Sequence, residues 1–432
     1  MKKYAICGVS NRALIMFIEP MLTTYAKEHQ IVALLDRDPL RFDVAVAQFP
    51  ALTQVPTYGP EEFERMRQET GADTIIVTSR DDTHIDYILA GLKHNLDVLS
   101  EKPMVTNAAD AVKVMEAESR SKGKVTVLFN YRYNPIHLRI KEMIRDGKLG
   151  RITSVDLNWY VDTFHGSSYF RRWNRNREIS GGLSVHKSTH HLDLVNWWLD
   201  QQPEEVFAFG ALNYYGANSE YNPAQVDGRY CETCDVREDC AYVMRWSSAD
   251  VRDDHLRAED NTTPKYTNYR TDACIFDSEI GIEDTYTATI RYNQGALLSY
   301  SINFSAPYEG YRLAINGTKG RIESTEYHEP SRISFPIPQQ TIDYYPLFGA
   351  KEIIYVVRGE GGHGGGDPVL LNDLFGRPDK HRGDDILAGS LAGACSIAAG
   401  EAMWRSIQEH RSVPIQELLA GSTGIRPIIH SV

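Results

Sequence analysis

The fold is decided near the N-terminus, where an apolar run meets a glycine turn in the stretch Lys3-Tyr4-Ala5-Ile6-Cys7-Gly8-Val9-Ser10-Asn11-Arg12-Ala13. The run 3–7 predicts a buried strand, and the residues after the turn predict a helix. A glycine turn between a strand and a helix is where a pyrophosphate binds a helix N-terminus. The second glycine of the dinucleotide fingerprint is replaced by Ser10, so this stretch alone is a weak match.

The alternation of strand and helix continues up to residue 130. Further strands are predicted at 31–35, 74–78, 96–100 and 125–129. Helices are predicted between them at 60–71, 84–92 and 108–121. This order predicts a doubly wound parallel sheet, in which ligands bind beyond the C-terminal ends of the strands.

Polar side chains cluster at this edge, and one of them bears on the choice of cofactor. Asp36 follows the second strand, where a carboxylate can bond the ribose hydroxyls of NAD and repel the 2′-phosphate of NADP. Arg37 beside it leaves NADP open, and a turn-starting aspartate is the simpler alternative. The residues that we predict to bind the cofactor are Gly8, Ser10, Asn11, Ala13, Asp36, Arg37, Thr78, Ser79, His84, Glu101, Lys102 and Asn130.

A lysine at the same edge has the clearest chemical meaning. Lys102 stands in Glu101-Lys102-Pro103, directly after the strand 96–100. A lysine that is desolvated near a nicotinamide has a lowered pKa and can take part in proton transfer. We predict a catalytic role for Lys102, with a solvated surface lysine as the alternative.

The densest group of reactive side chains lies in a second stretch, Gly181-Gly182-Leu183-Ser184-Val185-His186-Lys187-Ser188-Thr189-His190-His191-Leu192-Asp193. At helical spacing, His186, His190 and Asp193 share one face, and Lys187 and His191 share its neighbour. The glycine pair lets the backbone enter this helix closely and points the face of His186 and His190 into a cleft. A solvated polar face on a surface helix is the alternative.

Composition limits the class of protein. A chain of 432 residues is too long for one typical core, so two domains are expected. The net charge of −12 argues against a nucleic-acid partner and a basic membrane-binding surface. The N-terminal apolar run is too short for a signal peptide, and no window of about 18 apolar residues predicts a membrane span. These features predict a cytoplasmic protein.

Four of the six cysteines fall in one polar region, which in a cytosolic chain favours a metal over disulfides. A Cys-x-x-Cys turn presents two sulfurs to one ion. We predict a structural Zn²⁺ site in an insertion at 223–275, with a [4Fe–4S] cluster as the second candidate and reduced thiols as the alternative. The predicted ligands are Cys231, Cys234, Cys240 and Cys274.

The glycine turn, the segment 78–84, Glu101-Lys102-Pro103 and the stretch 181–190 together resemble the Gfo/Idh/MocA oxidoreductase family. The resemblance covers nearly the whole chain. It implies a Rossmann domain, a C-terminal α/β domain with a large open mixed sheet, and NAD(P)-linked chemistry on sugars, cyclitols and their derivatives. Lys102 and His190 match the catalytic lysine and histidine of the family, whereas His186 stands where the family has an aspartate. The open sheet implies a homodimer or homotetramer.

The second domain is expected to bind the substrate. Aromatic and basic residues at 169–175 suit a sugar, because aromatic faces pack on pyranose rings and arginines bind carboxylate or phosphate. A core tryptophan with solvated arginines is the alternative. The stretch Gly361-Gly362-His363-Gly364-Gly365-Gly366-Asp367 lets the backbone approach a ligand, with a flexible linker as the alternative. The predicted substrate contacts are Arg132, Trp173, Lys187, His363 and Asp367.

We expect a cofactor domain at 1–130, a substrate and oligomerisation domain at 131–385, and a helix and tail at 386–432 that pack back on the first domain. The leading hypothesis is hydride transfer between nicotinamide and a carbinol carbon of a small carbohydrate, with the catalytic residues Lys102 or His190 handling the hydroxyl proton and His186 orienting or relaying it. Two alternatives remain open. One is NAD-dependent cleavage of a glycosidic bond through transient oxidation, and the other is a non-catalytic NAD-binding protein.

Overall fold

A computed structural model of the chain describes residues 1–243, 266–379, 382 and 386–420. Parts of two predicted regions lie outside the described residues. These parts are 244–265 of the cysteine-rich insertion and 421–432 of the C-terminal tail.

The first sheet is built from the first 130 residues. Its strands are β1 Lys2–Cys7, β2 His29–Leu35, β3 Thr57–Tyr58, β4 Thr74–Val77, β5 Asp97–Ser100 and β6 Val125–Val127. They lie in the order β3-β2-β1-β4-β5-β6 and pair in parallel throughout. This is the strand order of a dinucleotide-binding Rossmann fold, and it reverses direction between β1 and β4. Ligands bind in the crevice at such a switch point.

Helices connect these strands. They are α1 Glu19–Leu22, α2 Leu40–Gln48, α3 Phe63–Thr70, α4 His84–Lys93 and α5 Ala108–Arg120. The first connection begins as a π-helical segment, Ala13–Ile18, that continues into α1. Local caps fix the ends of the others: the side chain of Asn107 accepts the Asp110 N–H at 2.9 Å where α5 begins. Gly71, with φ +60°, ends α3 in the left-handed conformation.

The second sheet is mixed and open. Its strands are β7 Ile152–Asp162, β8 Pro203–Ala211, β9 Thr285–Tyr292, β10 Leu297–Ala306, β11 Gly310–Gly317, β12 Gly320–Tyr327, β13 Thr341–Pro346 and β14 Glu352–Tyr355. They lie in the order β14-β13-β12-β11-β7-β10-β9-β8, with β7 and β10 parallel and the other pairs antiparallel. Alternate residues of β9 are buried and exposed, so one face of the sheet packs on the core.

The helices of the second domain are α6 Pro135–Arg145, α7 Thr163–Arg171, α8 Arg177–Ser180, α9 Leu183–His186, α10 Ser188–Leu199 and α11 Gly366–Phe375. The single helix expected across 181–193 is interrupted at Lys187, so α9 and α10 are separate. His186 and His190 therefore point in different directions from adjoining helices, as their different contacts show.

The C-terminal region joins the two domains. Its elements are β15 Ala388–Gly389, α12 Ser390–Glu409, β16 Val413–Pro414 and α13 Ile415–Leu418. β15 pairs with β6 of the first sheet, and β16 pairs with β8 of the second. α12 packs on α5 of the first domain and on α10 and β8 of the second. It therefore packs on both domains.

The predicted fold class is confirmed: a doubly wound parallel sheet is followed by an α/β domain with a large mixed sheet. Among the helices of the described residues, none has the length and apolar character that crossing a membrane requires.

Candidate active site

A cavity of about 1560 Å³ lies where the switch point of the first sheet faces the second domain. Seventeen of the nineteen predicted cofactor, catalytic and substrate residues line it. They are Gly8, Ser10, Asn11, Asp36, Arg37, Thr78, Ser79, His84, Glu101, Lys102, Asn130, Trp173, His186, Lys187, His190, His363 and Asp367. The other two, Ala13 and Arg132, lie outside this lining.

The glycine turn after β1 is packed tightly against the end of β4. Gly8 has φ +93°, and a Cβ there would lie 2.3 Å from Ser79 Cα, so no larger residue fits. Thr78 Oγ1 donates to Gly8 O at 2.6 Å. Ser10 Oγ accepts the Ala13 N–H at 3.2 Å and so starts the helix that follows. The serine keeps the helix start that a dinucleotide needs, although it departs from the glycine fingerprint.

Asp36 completes this part of the cavity. Its carboxylate accepts the Val9 N–H at 2.7 Å and the Asp38 N–H at 2.9 Å. Burial raises the pKa of Asp36, and the two N–H groups oppose that rise. A glycine that leaves no room for a side chain, a helix start and a carboxylate at the end of β2 fit the pyrophosphate and ribose of a dinucleotide.

A segment after the cysteine region covers the nucleotide end of the cavity. Thr267 donates twice to the Asp38 carboxylate, from its backbone N–H at 2.7 Å and from Oγ1 at 2.6 Å. Further along, the Tyr269 hydroxyl accepts the Trp173 N–H at 2.8 Å. These contacts hold residues 266–269 across the cleft, a role that no signal in the sequence indicated.

Lys102 lines the cavity. Burial lowers its pKa to about 8, with Asp81 opposing the fall and Lys187 adding to it. Its Nζ donates to the backbone oxygen of His186 at 3.4 Å. A group with a pKa near neutrality is suited to general acid–base catalysis.

His186 is held by a carboxylate from the other domain. Its Nδ1 lies 2.5 Å from Asp81 Oδ2, and its Nε2 lies 3.2 Å from the Asn174 side-chain amide. Burial lowers the pKa of His186, and Asp81 opposes this. Asp81 follows β4 and was missed in the sequence, because nothing local links it to a histidine 105 residues away. The chain thus keeps a carboxylate that acts on Lys102, although position 186 lacks one.

His190 lines the cavity and has an unsatisfied ring nitrogen. Its ring packs against Tyr131 and His363, with centroids 4.7 and 5.6 Å apart. Within the described residues, its buried Nδ1 has no hydrogen-bond partner. Burial and the charge of Lys102 lower the pKa of His190 well below its ordinary value, so the ring is neutral at pH 7.

Two other polar residues of the same stretch, His191 and Asp193, pack in the interior. His191 stacks on Trp159 at 3.7 Å between centroids. Asp193 forms a buried two-point ion pair with Arg132, at 2.7 and 2.6 Å. Arg132, predicted as a substrate contact, is thus turned toward α10 and away from the cavity. Asp193 therefore does not line the cavity as His190 does.

The glycine-rich stretch before α11 is tied to the first domain by an arginine. Arg12 donates to both oxygens of Asp367 at 2.9 and 3.1 Å, and to Glu101 at 2.6 Å. Burial disfavours the charge of Arg12, yet Glu101 and Asp367 raise its pKa. Asp367 also accepts from Asn130 at 2.6 Å and contacts His363 at 3.1 Å. Asp367 is therefore an anchor, and Arg12 is a site residue that the sequence did not reveal.

Two of the three arginines expected to bind an anionic substrate lie elsewhere. Arg175 pairs with Asp277 at 3.0 Å. Arg171 donates to Cys231 Sγ at 3.2 Å and to Tyr242 O at 2.6 Å. Of these three arginines, only Arg172 lines the cavity.

The predicted metal site at Cys231, Cys234, Cys240 and Cys274 is wrong, for zinc and for an iron–sulfur cluster alike. Among residues 1–243, 266–379, 382 and 386–420, no group of three or more Cys, His, Asp or Glu side chains could hold a metal ion. Metal ligation needs thiolates, whereas burial raises the pKa of Cys240 and of Cys274. The guanidinium of Arg171 also occupies the sulfur of Cys231. The cysteines are free thiols.

Known proteins match this architecture over nearly its full length. Residues 2–129 match the model of the oxidoreductase family's NAD-binding Rossmann fold, and residues 141–415 match that of its C-terminal alpha/beta domain. The chain is 61% identical over 423 residues to "Putative oxidoreductase YteT" of Bacillus subtilis (strain 168), covering 97% of this chain and 99% of that protein. It is 30% identical over 154 residues to an inositol 2-dehydrogenase of Rubrobacter xylanophilus, covering 34% of this chain and 40% of that one.

A solved structure shares the fold at low identity. The aldose-aldose oxidoreductase of Caulobacter crescentus superposes with a TM-score of 0.61 at 17% identity, over 96% of this chain and 99% of that one. The strand order, the matched domains and the near-complete relative agree, and the chain belongs to the Gfo/Idh/MocA oxidoreductase family, with an NAD-binding Rossmann domain.

Proposed function

We propose that this chain is an NAD-dependent dehydrogenase that acts on a hydroxyl-bearing carbon of a sugar, cyclitol or sugar derivative. The observation that carries the proposal is the setting of Lys102. Its amine has a pKa of about 8 and lies beside His186, His190 and the residues that fit a dinucleotide.

Relative pKa values decide between the two candidate bases. His190 is neutral at pH 7 because its pKa is well below its ordinary value, and such a ring is a weak base. The pKa of Lys102 lies near the working pH, where a general base is most effective. Lys102 is therefore the proton acceptor, and His190 orients the hydroxyl through its unpaired ring nitrogen.

The remaining residues position these two. The bound NAD supplies the hydride acceptor at its nicotinamide ring. Asp81 holds His186, and the backbone oxygen of His186 accepts from Lys102 Nζ, so the amine is kept in one place. Asp36 and Asp38 bring negative charge to the ribose end, which favours NAD over NADP.

A substrate panel tests the proposal. Free sugars, cyclitols, uronates and glycosides are incubated with NAD⁺, and NADH absorbance is followed together with product analysis. At least one compound should give NADH and a ketone or lactone in equal amounts. Glycoside cleavage without net NADH would contradict simple dehydrogenation and support redox-assisted cleavage. Tight NAD binding without any product would contradict both dehydrogenation and redox-assisted cleavage.

A further inference from the structure

The second domain contributes its own polar wall to the cavity. We define the sugar wall as Glu326, His328, Gln340 and Arg358, all of which line the cavity. These residues stand in or beside the ends of β12, β13 and β14 that share one edge of the second sheet. Tyr131 packs between this wall and the catalytic histidine, with its ring centroid 5.9 Å from His328 and 4.7 Å from His190.

Two polar atoms of the sugar wall are buried without a partner. Within the described part of the chain, these atoms are Arg358 Nη2 and Gln340 Oε1, whereas Glu326 and His328 pair with each other and with His137 and Glu309. Buried polar atoms are nearly always hydrogen-bonded in native proteins, so two neighbouring exceptions in a cavity wall point to a ligand. The mixture of donors and acceptors matches a molecule with several hydroxyl groups.

One donor in the sugar wall, the guanidinium of Arg358, is suited to binding an anion. Arg358 Nη1 donates to Tyr327 O at 2.8 Å, and among the described residues no carboxylate pairs with this guanidinium. The neighbouring Arg332, by contrast, pairs with Asp162 at 2.9 Å and with Glu309 at 3.4 Å. A guanidinium nitrogen that is shielded from water and lacks a counter-ion favours binding of a carboxylate.

The charged groups of the wall limit the charge that the bound anion can carry. Burial disfavours the charged form of His328, but Glu326 and Glu309 raise its pKa to about 9, so His328 is a cation at neutral pH. Burial disfavours the charged forms of Glu326 and Glu309, but His328 beside the first and His165 and Lys187 beside the second hold their pKa values well below the ordinary one, so both are anionic. A singly charged carboxylate meets less repulsion from these two groups than a doubly charged phosphate does.

We propose that the sugar wall binds a carboxylated sugar ring, a uronate, as the substrate of this active site. The carboxylate accepts a hydrogen bond from Arg358 Nη2, while a ring hydroxyl donates to Gln340 Oε1. The opposite side of the ring then faces His190 and Lys102. This inference rests on the proposed function, because it assigns the substrate class of the same site.

Binding to the NADH-loaded protein tests the inference without requiring turnover. Glucuronate and galacturonate are compared by calorimetry with glucose, galactose and glucose 6-phosphate. One of the uronates should bind about 10-fold or more tightly than its neutral sugar, as a hydrogen bond to a charged group predicts. R358Q should abolish that preference and leave the affinity for the neutral sugar unchanged, and R358K should retain part of it. The exposed R312Q is the matched control.

Three results would overturn the inference: no uronate binds more tightly than its neutral sugar, the preference survives in R358Q, or the phosphate binds best. If R358Q fails to fold, the wild-type comparison and R358K decide. A uronate that binds through Arg358 but yields no NADH with NAD⁺ would contradict the proposed reaction and leave the binding assignment intact.

Discussion

The nucleotide end and the sugar end of the cavity use similar side chains but differ in how their hydrogen bonds are completed. At the nucleotide end, Asp36 and Asp38 accept from neighbouring backbone and side-chain donors. At the sugar wall, Gln340 Oε1 and Arg358 Nη2 are buried without partners in the described chain. The acceptors of the first end are satisfied by the protein itself, whereas these two atoms of the second are not. Substitutions should therefore act differently at the two ends.

Lys102, which lines the same cavity, should show the largest effect. Lys102→Met removes the general base, and turnover should fall about 10²- to 10⁴-fold while NAD binding is retained. Steady-state kinetics and nucleotide titration measure the two quantities. Lys113→Met, at an exposed lysine of α5, is the control and should leave both unchanged. Full turnover in Lys102→Met would contradict the mechanism.

The sequence predicts that Arg132 contacts the substrate, but its guanidinium pairs with Asp193 in the interior. Removing Asp193 tests whether this ion pair stabilises the fold. Asp193→Ala leaves the Arg132 guanidinium buried without its counter-ion, so the free energy of unfolding should fall by about 3–5 kcal/mol. Glu352→Ala, in an exposed pair with Lys148, should cost less than about 1 kcal/mol. Denaturant unfolding measures both. An equally small loss for Asp193→Ala would show that this pair is not a structural element.

A substitution of Asp81 tests whether the carboxylate that holds His186 also raises the pKa of Lys102. Asp81→Asn removes a negative charge that raises the pKa of Lys102, so the pH profile of kcat/KM should shift to lower pH. Turnover should fall about 10-fold because His186 loses its partner. Asp82→Asn, one residue along and paired with Arg80, is the control. Combining Asp81→Asn with His186→Asp should restore part of the activity. An unshifted pH profile of kcat/KM in Asp81→Asn would contradict the effect of Asp81 on Lys102.

The smallest effect is expected at the nucleotide end, where each bond is one of several. Asp38→Asn weakens the contacts with Thr267 that hold residues 266–269 across the cleft, so NADH should dissociate a few-fold faster. Stopped-flow fluorescence measures the rate. Asp43→Asn, an exposed position on α2, is the control. An unchanged rate would show that this segment does not retain the nucleotide.

Local sequence patterns predicted the first domain well, because each signal lies within a few residues. Strand periodicity and the glycine turn gave the Rossmann fold, although Ser10 departs from the fingerprint. The position of Lys102 followed from its strand end. Parallel strands bring their C-terminal ends to one edge, so these residues had to meet there.

The other contacts depend on pairs far apart in the chain. Asp81 meets His186 across 105 residues, and Arg12 meets Asp367 across 355. No periodicity or motif links such residues. The cysteine prediction failed for a related reason: spacing brought thiols into one region, but Arg171, distant in sequence, took the sulfur of Cys231.

The pH dependence of kcat/KM for sugar oxidation tests the central claim most directly. Proton acceptance by Lys102 predicts a rate that rises with pH through an apparent pKa of about 8, because the neutral amine is the active form. The same rise should be absent from the residual activity of Lys102→Met. A rise near the ordinary lysine pKa of 10.5, or one that persists in Lys102→Met, would contradict the account.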